Sequence, residues 1–219
     1  MFIKRLAGGT ALFVSILVGD QLSAAQTGGG DGGRSAYLAG KRGSTAKERR
    51  RQFNAGITEA RARLASAPDD PAGLLWLAAN LGAEALEQGK IVALRVLPEM
   101  ERLLLRLEAV DPTYDDAASA RTLARLYHKA PPFISIGSNK KARAYWEKAL
   151  SRAGDFPANE VLAADFFADD DQDERAYQLA SRYLGHAVSV AENPEAAEWQ
   201  EIAQRIVAKN ADRRPGGAR

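Results

Sequence analysis

The sequence predicts an all-α protein: a tetratricopeptide-like solenoid of about three antiparallel helical hairpins plus flanking helices. Three observations predict it. Apolar residues recur at spacings of three and four from about residue 47 onward. Helix stop signals built from Pro, Gly and Asp interrupt that pattern at intervals. Small side chains, mostly alanine, stand where paired helices would touch. No segment alternates apolar and β-branched residues convincingly, so no sheet is expected.

The bulk numbers narrow the function classes. A chain of 219 residues corresponds to about one domain. Its 30 basic and 28 acidic residues nearly balance, without the clustered excess of a nucleic-acid binder. There is no cysteine, which excludes disulfides, thiolate metal sites and a cysteine nucleophile. The two histidines, His128 and His186, are too few for a histidine-rich metal centre. No metal or other cofactor is expected.

Residues 1–25 read as a cleaved signal peptide. Lys4 and Arg5 precede the apolar run "LAGGTALFVSILVG" (6–19), and "SAA" (23–25) supplies the small residues that a signal peptidase reads. The run falls short of the roughly 20 apolar residues that span a bilayer. Cleavage after Ala25 leaves 28 basic and 27 acidic residues, a near-neutral chain exported to the periplasm or secreted, with no membrane span. Residues 26–46, rich in Gly, Ser and Thr, read as a flexible leader, and 212–219 as a frayed tail. The helical domain is expected over 47–211.

The elements follow in order. Phe53, Ile57, Ala60, Leu64 and Ala67 form one stripe of a first helix, stopped by "PDDP" (68–71). Asp70 then Pro71 is an N-cap followed by proline at the first helical position, and the helix 72–89 ends in Gly89. "IVALRVL" comes next, and Pro98 begins or kinks a helix that stops at "DP" (111–112). Further helices are expected over 114–130, 139–154, 157–168, 173–191 and 194–209.

The helices pair with a recurring residue pattern. Ala120, Leu123, Ala124 and Tyr127 stand at the W, L, G and Y positions of the tetratricopeptide template, and Ala142, Trp146 and Ala149 at the positions of its partner helix. Partial matches flank this unit: Leu81-Gly82 with Met100, Leu104 and Leu107 before it, and Ala164 and Phe167 with Ala176, Ala180 and Tyr183 after it. In such stacks small residues let the two helices approach and large ones fill the gap to the next hairpin.

The stretch "YHKAPPFISIGSNKKARAYWEKAL" followed by "FPANEVLAADFF" resembles the TRAP transporter T-component family. The resemblance covers roughly residues 75–190. It rests on the A-P-x-x-x-S-x-G-S-x-x-K-A pattern, the "EKAL" helix and the "FPxN" start of the next hairpin. It implies a periplasmic tetratricopeptide-like protein that associates with a substrate-binding partner. Members are often lipoproteins; this chain has no cysteine for a lipid.

Within that stretch the loop 130–138 is the sharpest feature. Pro131 and Pro132 end one helix. Phe133, Ile134 and Ile136 are apolar residues that either cap the core or contact a ligand or partner. Gly137 is expected to turn with positive φ, and Ser138 or Asn139 to cap the next helix. Tyr127, Phe133, Ile134, Ile136, Tyr145 and Trp146 are the candidate contact residues. The acidic run "DDDQDE" (169–174) lacks the glycine and glutamate of a calcium loop and reads as a capped hairpin turn. No acidic residue lies within four positions of His128, and no G-x-S-x-G motif exists. No catalytic set emerges.

The sequence thus predicts a non-enzymatic exported scaffold that binds a protein, peptide or apolar ligand on the concave face of its stack. The alternative is an accessory component of a TRAP-type uptake system, holding a small apolar ligand in a pore through the repeats and partnered by a periplasmic solute-binding protein.

Overall fold

A computed structural model describes residues 31–186 and 193–211. Among them are nine helices and no strand: α1 (Arg34–Arg42), α2 (Ala46–Ser66), α3 (Pro71–Gln88), α4 (Lys90–Val110), α5 (Tyr114–Lys129), α6 (Asn139–Ala153), α7 (Pro157–Asp169), α8 (Asp173–Leu184) and α9 (Ala196–Ala211). The expected signal peptide, its cleavage site and the expected tail from 212 lie outside the described residues.

Three hairpins, α3–α4, α5–α6 and α7–α8, stack in chain order. Their first helices touch in succession, α3 on α5 and α5 on α7, and the second helices bridge to the next hairpin. α1 and α2 pack at the α3 end, and α9 packs against α7 and α8. This is the helical-repeat solenoid that the sequence predicts. The template residues are its seams: Ala120, Leu123, Ala124, Ala142, Trp146 and Ala149 are all 0 % exposed. An alanine at a seam lets backbones approach, and each neighbouring aromatic ring then meets close-packed walls. α3, α5 and α7 are buried around nearly their whole circumference, which is why they lack a clean polar stripe.

Local chemistry sets the boundaries. Asp70 accepts from the Gly73 amide at 2.7 Å, with Pro71 opening α3, as expected. Gly89 is the whole connection between α3 and α4 and takes φ 119°, a conformation that side-chain-bearing residues resist.

Four expectations change. The leader is ordered over its second half. Asp31 accepts from the amides of Gly33 and Ser35, starting α1, and Tyr37 is buried with its ring against Phe53 and Trp76. One aromatic anchor and a local cap were enough to override a glycine-rich composition. Pro98 does not begin a helix: it lies inside α4, which starts eight residues earlier at Lys90. α8 ends at Leu184, short of the expected 191; residues 187–192 are outside the described set. Finally, α5 opens with three successive left-handed residues, Asp115, Asp116 and Ala117 (φ 48°, 53° and 62°).

That turn carries strain of about 1–2 kcal/mol per residue, so something must hold it. The fully buried Arg121 does. Its guanidinium donates to the carbonyls of Asp115 (3.1 Å) and Asp116 (2.8 Å) and to Asn159 Oδ1 (2.9 Å), and it stacks over Phe156. Asn159 in turn donates to the carbonyls of Asp116 and Ala153. The start of α5 is thereby stitched to the start of α7.

Candidate docking site

The loop between α5 and α6, residues 130–138, is the longest connection inside a hairpin. Its two ends are fixed. Pro131 and Pro132 cannot extend the α5 ladder. The Ser138 amide donates to the Tyr127 carbonyl at 2.8 Å, and the Ser138 hydroxyl accepts from the Lys141 amide at 3.3 Å, capping α6 as expected. Gly137 does not take a left-handed φ. Its role is close approach: a Cβ there would collide with the Ala130 carbonyl oxygen. The expected positive φ is replaced by a steric requirement.

The candidate residues divide sharply. Trp146 is 0 % exposed and Tyr127 2 %, both within the core. The Tyr127 hydroxyl donates to Glu101 at 2.6 Å, and burial together with that carboxylate raises its pKa well above the usual tyrosine range. Tyr145 is half-buried, 5.7 Å from the Tyr127 ring. Ile136 packs against the core from its edge. Phe133 and Ile134 do neither. They stand 98 % and 76 % exposed at the loop tip. Capping of the core therefore holds for Ile136 alone.

Beside the loop lies a polar cluster that sequence spacing concealed. His128 Nε2 meets Asp169 at 3.1 Å across 41 residues, although no acid is near it in sequence. Lys129 Nζ lies 2.8 Å from Asp165 and 3.5 Å from Asp169, and Arg205 of α9 reaches Asp165 at 3.0 Å. His128, Asp165 and Asp169 have their ligand atoms within 4.8 Å of one another, a spacing that a cation could use. The Lys129 ammonium already supplies the positive charge there. Others of the acidic run are tied as well: Asp170 accepts from Arg143 at 2.6 Å, and Asp173 lies 3.3 Å from Lys209 Nζ.

Electrostatics agrees with a structural role. Burial lowers the His128 pKa, reinforced by Lys129 and outweighing the pull of Asp169, so the ring is neutral at pH 7 and donates its Nε2 proton to the carboxylate. That bond, aided by Lys129, holds Asp169 down to about 2. Burial would raise Asp165, but Lys129 and Arg125 outweigh it and the carboxyl stays below its usual range.

The profile of the TRAP transporter T-component family matches residues 36–213, most of the chain. The chain belongs to that family. T-components are accessory parts of TRAP transporters, which places this protein with an uptake system. The match begins within α1, so residues 36–46 of the expected leader lie inside the matched span. Comparison with curated proteins gave no match. None of the described helices of this T-component is long and apolar enough to cross a membrane.

Proposed function

We propose that this T-component is a non-enzymatic docking element of a TRAP-type uptake system, and that it grips its protein partner with the tip of the proline loop. One observation carries the reading. Phe133 and Ile134 present a large apolar surface to water on a loop whose two ends are fixed. An aromatic and a branched aliphatic residue, held out by a rigid base, are the usual anchors of a protein–protein contact. Because the base is already ordered, little loop entropy is lost on binding. The partner that fits the family is the periplasmic solute-binding protein of the same transporter.

The test is the pair Phe133→Ser and Ile134→Ser, measured by titration calorimetry against that solute-binding protein. Affinity is expected to fall at least tenfold, the effect of about 1.4 kcal/mol, with Tm unchanged. Ile136→Ser is the contrast: it should lower Tm because Ile136 packs on the core. Full affinity in the double variant would remove the loop from the interface.

A further inference from the structure

The two ends of the stack meet. α1 packs on α2 and α3 at one end, and α9 on α7 and α8 at the other. Between them sits Glu195, buried in the turn that leads into α9. Tyr37 of α1 donates its hydroxyl to Glu195 Oε1 at 3.2 Å. Lys41, one helical turn further on, places Nζ 2.9 Å from the same oxygen. The Tyr37 contact joins residues 158 positions apart, whereas the hairpins are linked by neighbour-to-neighbour packing.

A stack held only by neighbours frays at each end independently. Here one carboxylate oxygen serves both groups of α1, so the departure of α1 strips the buried Glu195 carboxylate of its direct partners and leaves Arg125 as the attractive charge near it. Loss of the Glu195 turn in turn takes from Tyr37 and Lys41 the carboxylate they share. A buried ion that loses its direct partners is costly, so the two ends leave together or not at all. We propose that Asp31–Arg42 and the Glu195 turn form a strap that locks the first helices to the last and opens as one unit while the three hairpins stay folded. The strap limits how far the two ends of the stack can spread.

The strap is testable by hydrogen exchange with mass spectrometry on the full chain. Residues 34–42 and 193–200 should exchange at a common rate, faster than α5 and α6. Glu195→Gln should raise exchange in both segments together by about tenfold, with 114–153 unchanged. Lys41→Met and Tyr37→Phe attack the contact from the other side and should give the same paired signature, which covers the case in which Glu195→Gln disturbs folding. Loosening of 193–200 alone, or an increase spread evenly through α5 and α6, would overturn the proposal.

Discussion

Two turns of the same stack solve the same problem differently. The α7–α8 hairpin turns in residues 170–172, with Asp171 in a left-handed conformation, Asp169 bound to His128 and Lys129, and Asp170 to Arg143. The α5–α6 hairpin takes residues 130–138 and leaves Phe133 and Ile134 in water. Closing a hairpin therefore needs no more than a few residues; Gly89 does it alone between α3 and α4. The apolar tip of the proline loop, Phe133 and Ile134, is not needed to close the hairpin, unlike Ile136, which packs on the core. The loop's rigid base and exposed tip are what a docking element requires.

The sharpest way to break the comparison is at the base of the loop. Trp146→Ala removes a fully buried ring from the α5–α6 seam and should cost about 3–5 kcal/mol in denaturant unfolding. A loss under about 1 kcal/mol would mean that the seam carries little of the stability. Next comes Arg121→Met, which leaves the carbonyls of Asp115 and Asp116 and Asn159 Oδ1 without their buried donor. It should cost about 2–3 kcal/mol, and Arg121→Lys should not restore it, because one ammonium cannot reproduce the fork. Gly137→Ala should destabilise by about 1–3 kcal/mol through collision with Ala130.

The acidic turn is probed by pH. Asp169 is held at about 2 by His128 and Lys129, so its contribution is complete above its ordinary 3.8 and disappears as pH falls through about 2. His128 is held below its ordinary 6.5, so protonation of the unfolded chain makes stability decline as pH falls through 6.5. Tm against pH should show both phases, and Asp169→Asn should shrink the lower one, leaving the share of Asp165 and the other lowered carboxylates. The smallest effect belongs to the loop tip. Phe133→Ser with Ile134→Ser should shift stability by less than about 0.5 kcal/mol while it lowers partner affinity. A large Tm loss would make the tip a core element after all and erase the contrast between the two turns.

Much of the architecture was legible because it depends on local signals. Asp70 and Ser138 mark helix starts by accepting from amides three residues on, and Gly89 marks a helix end by donating its amide to the Ala85 and Leu86 carbonyls. Trp146 and its alanines follow the helical period. The site was legible only in part. Phe133, Ile134 and Ile136 look alike as letters, and only packing separates the two that face water from the one that does not. His128 gave no hint of Asp169, because polar contacts between hairpins leave no spacing signature. Tyr37 was hidden in a glycine-rich stretch whose average composition outweighs a single anchor residue.

By itself, then, the sequence determined the helices from α2 onward, their pairing and the order of the stack, since capping, periodicity and seam residues act over one or two turns. Only the tertiary structure decided which apolar residues stay exposed, which charges find partners, and that α1 reaches across to Glu195. Those outcomes depend on surfaces brought together from distant parts of the chain, where burial and desolvation, rather than local propensity, set the energy.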